Sequence, residues 1–204
     1  KDILSVISAR PLNVSLKNMK TFPTYYIDNL CVKPCMRKKG VAPKIIQTLY
    51  YNIRRDNNNI KTCLFKREGE MTAIVPLTTF SCKCYNTNTW GDLDTQHASM
   101  KLIEIGKNNL STLAEYIYNQ KNKLSCIILP EITNIANLIK NENISVYGII
   151  HKDTLLSLYL FRDSATIYKN NKALDLVGSI NSCPNNNIFI NGFKEALQRC
   201  CKKY

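Results

Sequence analysis

Between a short apolar run and a helical pattern the chain reads DNLCVKPCMRKKGVAPKII, from Asp28 to Ile46. Cations gather at Arg37, Lys38 and Lys39, just where the helix would begin, and Gly40 lets backbone approach a ligand closely. Unpaired amides at a helix N-terminus, combined with that charge, suit a pyrophosphate. The turn lacks the Lys-Ser/Thr ending of a P-loop and the spacing of the dinucleotide fingerprint, so ATP, GTP and NAD fit poorly. A coenzyme A phosphate fits as well as a nucleotide does. The competing reading is a solvated basic turn, in which Gly40 only shapes the helix entry and Pro43 takes a favoured first-turn place. Local chemistry leaves these two open.

Other reactive groups are less organised. The 9 cysteines include the close groups Cys31 and Cys35, Cys82 and Cys84, and Cys200 and Cys201, but no CxxC pair occurs. With only His97 and His151 to add, the ligand set of a zinc centre is missing, and we expect free thiols and no metal. Cys31 and Cys35 have no sequence-near histidine, so we read them as buried or partly buried thiols rather than nucleophiles. His97 lies near Asp92 and Asp94 in a polar stretch, which points to a surface role, and His151 falls with Asp153 in an expected hairpin turn.

The 204 residues carry a formal charge of +13, which would attract nucleic acid, an anionic membrane face or a polyanionic cofactor. Neither a helix-turn-helix pattern nor paired aromatic RNA-binding strands accompany it, and the lysines are dispersed, so nucleic acid is not expected. Asparagine runs such as Asn57–Asn59 and Asn185–Asn187 suggest an A/T-rich coding sequence, making part of the charge compositional and solvated. No run resembles a membrane span or a cleavable secretion signal, and we expect a soluble, cytoplasmic protein.

Around the basic turn the pattern supplies elements to hold it. Ile3–Ala9 reads as a strand ended by Pro11, and Val14–Leu16 and Tyr25–Val32 read as further strands with a turn at Thr21–Pro23. Ile45, Ile46, Leu49, Tyr50 and Ile53 recur at helical spacing through Ala42–Arg55, with Lys44, Gln47 and Arg54 facing outward. Tyr25, Tyr26, Tyr50 and Tyr51 are expected to pack sheet and helix rather than stack on bases. Ile60–Phe65 is a short strand, Arg67–Glu70 a polar turn, and Thr72–Val75 an extended run before Pro76.

Asn86–Ser99 reads as a linker with Trp90 as an anchor, which places a boundary between domains at 1–90 and 91–204. Beyond it the spacing predicts a helix through Leu110, Leu113, Ile117 and Tyr118, capped near Asn109 or Ser111. A strand at Cys126–Leu129 and a helix at Ile132–Ile139 follow. Next come a hairpin of Ser145–Ile150 with Thr154–Phe161, a separate run at Ala165–Tyr168, and a final helix within Ile188–Cys201.

The longer stretch ISARPLNVSLKNMKTFPTYYIDNLCVKPCMRKKGVAPKIIQTLYYNIRR, Ile7–Arg55, resembles the acyl-CoA-binding core of the N-myristoyltransferases. There an FISAxP-like strand leads through a hairpin to an INFLCV-like strand, a basic loop, an Ala-Pro pair and a helix. Ile7-Ser8-Ala9-Arg10-Pro11, Leu30-Cys31-Val32, Arg37, Lys39 and Ala42-Pro43 carry the likeness. Weaker matches follow at Val75-Pro76, Ser81-Cys82-Lys83, Val146-Tyr147, Leu158–Phe161, Ser164–Ile167 and Gly192–Leu197. The same arrangement belongs to the broader GNAT acyltransferase fold.

The resemblance implies an α/β fold, a GNAT-like mixed sheet with flanking helices, in two GNAT-like halves truncated at both ends. It implies an acyl-CoA-binding half over 1–90 and a second, partial half over 91–204. The cofactor would be myristoyl-CoA or another acyl-CoA, gripped by Leu30, Cys31, Val32, Arg37, Lys38, Lys39, Gly40, Val41, Ala42 and Pro43. Backbone amides of Asn29 and Leu30 would form an oxyanion hole for the thioester carbonyl, and the acceptor would be the amine of an N-terminal-glycine peptide or protein.

Asn29 stands where the family has Phe. The base in that family is the terminal carboxylate, and this chain ends soon after the helix with the family's Asp-Ala-Leu-like motif, before its final strand. No YTAG-like peptide loop follows Phe65, and the chain opens on Lys1 rather than Met. We therefore read a piece of a larger enzyme, or a reduced homologue. A general GNAT acetyltransferase is a second enzyme reading. The alternative class is a catalytically inactive GNAT-like scaffold that binds a protein partner, in a viral assembly for example.

Overall fold

The computed structural model describes residues 2–67, 69, 75–91, 100–121 and 123–203. In chain order the strands are β1 (Ser5–Leu16), β2 (Phe22–Val32), β3 (Cys63–Phe65), β4 (Lys101–Glu104), β5 (Cys126–Leu129), β6 (Ser145–His151), β7 (Thr154–Tyr168) and β8 (Asn171–Asn181). The α-helices are α1 (Val41–Asp56), α2 (Leu110–Gln120), α3 (Ile132–Lys140) and α4 (Asn186–Cys201). The chain divides into two compact units, Lys1–Lys83 with Lys121–Glu131 and Cys84–Gln120 with Ile132–Tyr204.

The first unit holds a sheet of order β3-β2-β1-β5, in which only the β2–β3 pair is parallel. β1 does not end at Pro11, as the sequence reading expects, but continues to Leu16 with Pro11 opposite Tyr25. The proline is tolerated because β5 pairs only with Asn13–Leu16, so at Pro11 one side of the strand has no ladder for a missing N–H to break. The hairpin turn also lies earlier than Thr21–Pro23. Asn18 adopts the left-handed conformation at φ 63°, Met19 N–H donates to the Leu16 carbonyl at 3.1 Å, and Pro23 is already paired with Asn13.

On α1 the inward stripe is narrower than the periodicity suggests. Ile53 is buried and Ile45 and Leu49 half-buried, at strict i, i+4 spacing, while Ile46 and Tyr50 remain 44% and 39% exposed. Tyr51 is 64% exposed, so neither helix tyrosine packs as expected, whereas Tyr25 and Tyr26 are half-buried in β2. Val14 and Ile60 join Ile53 in this unit's core, beside buried Thr24, whose hydroxyl donates to the Thr62 carbonyl at 2.8 Å.

The second unit holds an antiparallel sheet of order β4-β6-β7-β8. Leu113, Tyr116 and Ile135 from α2 and α3 pack in one cluster with Val146, Leu155 and Leu158. Ile188, Ala196, Leu197 and Cys200 from α4 pack in another with Tyr147, Ile149, Tyr159 and Phe161. Gly192 permits the close approach of α4, because a Cβ there would collide with the Ile149 side chain and the Tyr159 hydroxyl. Trp90 is the anchor expected of it, its ring 6.0 Å from that of Phe193.

Lys152 and Asp153, at φ 46° and 65°, make the two-residue turn between β6 and β7, the left-handed pair that matches strand twist. His151 is therefore the last β6 residue, paired with Thr154, and not a turn residue. Ala165–Tyr168 is not a separate run but the far end of β7, and the interruption visible in sequence is a register shift between Asp163 and Thr166, with Ala165 at φ 52°. Lys169 and Asn170 then repeat the left-handed pair and lead into β8.

Within the expected linker, Thr87–Thr89 form a 3₁₀ turn. Glu68 and Glu70 of the polar turn, Thr72–Ile74 of the extended run, and Asp92, Asp94 and His97 lie outside the described residues.

Candidate functional site

Two local features of the first unit meet at the end of β2. Val6 pairs with Cys31 and Ser8 with Asp28, so Asn29 and Leu30 together face the single residue Ile7. This is a β-bulge, which bends a strand and breaks its ladder. Asn29 takes the left-handed conformation at φ 53°, one that asparagine tolerates better than most non-glycine residues. Its own N–H donates to Asp28 Oδ1 at 3.0 Å, and its side-chain Nδ2 donates to Ser8 Oγ at 2.9 Å.

Beyond Val32 the chain turns through a 3₁₀ helix at Pro34–Met36, anchored by Lys33 N–H donating to the Leu4 carbonyl at 2.9 Å. Lys38 at φ 60° and Gly40 at φ 73° then swing the backbone into α1. Gly40 is the N-cap residue and provides no side-chain cap, and the first turn of α1 contains no acidic residue. The first amides of α1 therefore keep their donors and their positive field without a carboxylate to answer them.

Arg37, Lys38, Lys39 and Lys44 are all exposed around this turn. Arg37 Nε donates to the Val32 carbonyl at 3.4 Å, and Lys33 pairs with Asp2 at 3.0 Å. Lys38, Lys39 and Lys44 have no ion-pair partner among the described residues. Uncapped amides beside cations without carboxylate partners can hold a polyanion.

The structure thus places Asn29, Leu30, Cys31 and Val32 on one strand end and Arg37, Lys38, Lys39, Gly40, Val41, Ala42 and Pro43 on the turn and helix start that directly follow. Cys31 and Cys35 are both exposed, contrary to the buried or partly buried thiols expected. The cause is their position, one on the strand end past the bulge and the other on the short 3₁₀ helix, neither of which contributes a buried residue to the core. Among the described residues no cluster of three or more His, Cys, Asp or Glu forms a metal-ligand group, and no helix is long and apolar enough to cross a membrane.

Sequence reasoning missed Arg10 and Asp28. Their side chains pair at 2.5 Å across the β1–β2 hairpin, and the Arg10 guanidinium lies 5.2 Å above the Tyr26 ring. A cavity of about 370 Å³ in the second unit, lined by Glu104, Lys107, Lys140, Ser145 and Lys203 among others, contains none of the expected site residues. Deeper in that unit Tyr159 donates to the Phe189 carbonyl at 2.7 Å and accepts from Ser157 at 3.2 Å. Burial pushes the Tyr159 and Tyr116 phenols above their ordinary range, so both are protonated structural groups at neutral pH.

No family model matches this sequence, and no curated protein does. Solved structures do. One of N-myristoyltransferase from Saccharomyces cerevisiae with bound myristoyl-CoA aligns over 95% of this chain and 55% of its own, at 16% identity and a TM-score of 0.62. Another of the same enzyme with myristoyl-CoA aligns over 78% and 44%, at 17% identity and a TM-score of 0.57. A GCN5-related N-acetyltransferase from Kribbella flavida aligns over 94% and 47%, at 10% identity and a TM-score of 0.53. The chain thus has an α/β GNAT-like fold and spans about half the length of the structures it matches.

Proposed function

We propose that this chain is an N-myristoyltransferase-like acyl-CoA-binding protein that transfers a myristoyl or other acyl group to the amine of an N-terminal glycine. The observation that carries the reading is the juxtaposition, along one strand end, of a bulge at Asn29-Leu30 and an uncapped, acid-free helix start at Gly40–Lys44. The two features suit the two ends of a thioester cofactor.

Arg37, Lys38, Lys39 and the amides from Gly40 to Ala42 bind the phosphates as fixed positive charge, with Pro43 setting the first turn of α1. Cys31 and Val32 flank the pantetheine path. Leu30 N–H, with Asn29 beside it, faces the carbonyl where negative charge develops. Residues 1–90 act as the acyl-CoA half and 91–204 as the second GNAT-like half. None of these roles uses a side chain as acid or base, so removal of the ammonium proton of the acceptor falls to a group outside this set.

Calorimetric titration with myristoyl-CoA, acetyl-CoA and free CoA tests the proposal. Arg37→Ala and Lys39→Ala should each weaken all three by about tenfold, the order expected for a charge-assisted hydrogen bond, without lowering the melting temperature. Absence of CoA binding by the unaltered protein would sink the proposal. A glycine-peptide transfer assay then separates the enzyme from a second reading, an inactive scaffold for a protein partner. That reading is favoured by the exposed Ile46, Tyr51 and Phe65 of the first unit, which suit a protein interface.

A further inference from the structure

The bulge at Asn29-Leu30 is held by four polar contacts, three of which link the two strands. Asp28 Oδ1 accepts the Asn29 N–H at 3.0 Å, and Asp28 Oδ2 accepts from Arg10 at 2.5 Å. Asn29 Nδ2 donates to Ser8 Oγ at 2.9 Å, and that same Oγ donates to the Asp28 carbonyl at 3.2 Å. The ring formed by Ser8, Asp28 and Asn29 closes on the left-handed residue itself, and Arg10 fixes its outer carboxylate oxygen.

Such a ring has a specific consequence. A residue at φ 53° carries backbone strain that the surroundings must offset, less for asparagine than for most non-glycine residues. Here Asn29 is held on both sides, its main chain by Asp28 and its side chain by Ser8. The Asn29 N–H is already satisfied, so it has no reason to turn toward a ligand. The Asp28 carboxylate, though beside the bulge, has both oxygens engaged, one by the Asn29 N–H and the other by the Arg10 guanidinium.

We infer that Asp28, fixed by Arg10, is a positioning residue that clamps the Asn29 amide and leaves the Leu30 amide as the backbone donor to the acyl carbonyl. The inference rests on the acyl-CoA reading for its last clause only. It replaces a hole with two backbone donors by one with a single donor. It also gives Asn29 a use for its amide side chain that an aromatic residue at that position would not have.

The experiment uses amide NMR and calorimetry on the full chain. In the free protein, Asp28→Ala should shift the Asn29 amide resonance and speed its hydrogen exchange at least about fivefold, the loss of one ordinary hydrogen bond. Asp28→Asn, which keeps an acceptor oxygen, should restore most of that protection. With acetyl-CoA against free CoA, which differ by the carbonyl in question, Asp28→Ala should reduce the preference for acetyl-CoA by about fivefold and leave free CoA binding unchanged.

In the unaltered protein the Leu30 amide should respond to acetyl-CoA while that of Asn29 stays fixed. An Asn29 amide indifferent to Asp28→Ala would overturn the clamp, and so would an Asn29 amide that responds to acetyl-CoA while Leu30 does not. Should no form of CoA bind, the acyl-CoA reading fails, but the clamp is still decided by exchange in the free protein. Ser8→Ala provides the second variant: it removes the contacts to the Asn29 side chain and the Asp28 carbonyl but leaves the Asp28 carboxylate on Arg10 and on the Asn29 N–H, so the Asn29 amide should keep its protection.

Discussion

In the second unit Tyr147, Tyr159, Phe161, Val146 and Leu158 are each no more than 1% exposed, whereas in the first unit Ile60 alone among the described apolar side chains is buried so fully. The first unit leaves Val6, Leu30, Ile46, Tyr51 and Phe65 exposed, on or near the elements that carry the bulge and the basic turn. Both units expose apolar side chains, Tyr118, Ile167 and Val177 of the second among them. But the second gathers aromatic residues into a packed interior, and the first presents the cations Lys38, Lys39 and Lys44 without ion-pair partners among the described residues. Binding segments belong to the less packed parts of a fold, because a backbone donor that must meet a ligand cannot also be buried in a ladder. Perturbing each unit at the feature that defines it can break this contrast.

The largest effect is expected in the second unit. Phe161 lies at ring-centroid distances of 6.3 Å from Tyr147 and 5.8 Å from Phe193. Phe161→Ala should cost about 3–5 kcal/mol, the usual range for deleting a buried phenyl ring, as read by denaturant unfolding followed through second-unit probes. A cost below about 1 kcal/mol would show that the aromatic cluster contributes less to the core than its burial suggests.

Alkaline pH gives the next largest effect. Burial, which outweighs the hydrogen bond from Ser157, raises the Tyr159 phenol from its ordinary value of 10.0. Above that pH the unfolded chain releases a proton that the folded one retains, so the unfolded state binds fewer protons. The contribution is fully present below about pH 10 and is lost as pH rises toward the folded-state value, at roughly 1.4 kcal/mol per pH unit. Tyr116, also raised mainly by burial, adds to the same decline. Tyr159→Phe should flatten the alkaline limb of the stability curve, at a cost of about 1 kcal/mol at neutral pH for the lost bond to the Phe189 carbonyl.

What could be read from sequence divides along the same lines. The helices α1, α3 and α4 and the β6–β7 hairpin were legible because an apolar stripe or a strand pair lies within a few residues of itself. β8 was missed, although Lys169-Asn170 is a left-handed two-residue turn, because its alternation is weak and Leu176 and Val177 are both exposed. β4 was missed for its brevity. β5 was recognised as a strand, but nothing local announces that it joins β1, far upstream in the chain. The basic turn was legible through Gly40 and its neighbouring cations. The bulge and the Arg10–Asp28 pair were not, since both depend on the register of β1 against β2, where one residue of slip would move Arg10 to the other face.

Gly40 sharpens the contrast in the first unit. At φ 73°, with no atom within 4 Å of where a Cβ would stand, a side chain there meets no obstacle and only backbone strain. Gly40→Ala should therefore cost about 1 kcal/mol of stability, and it should weaken CoA binding further by misdirecting the first amides of α1. A variant that loses stability but keeps full CoA affinity would mean that the left-handed entry serves the helix and not the phosphate.

The smallest effect is the most discriminating, because each unit has a cross-strand Arg–Asp pair of nearly equal setting. Arg10–Asp28 is 2.5 Å apart with side chains 51% and 40% exposed, and Arg162–Asp175 is 2.8 Å apart with side chains 48% and 45% exposed. Pairs so exposed contribute about 0–1 kcal/mol each, so Arg10→Ala and Arg162→Ala should be nearly silent in thermal unfolding. They should differ in function. Arg162 also lies between two register shifts, but the Asp175 carboxylate it holds accepts no bulge amide among the described residues, whereas Arg10 holds the aspartate that accepts the Asn29 N–H. Arg10→Ala should thus lower the preference for acetyl-CoA over free CoA in the same direction as Asp28→Ala, and Arg162→Ala should leave it unchanged. Equal behaviour of the two variants would reduce the first pair to an ordinary surface ion pair, and with it the claim that the less packed unit is organised around its bulge.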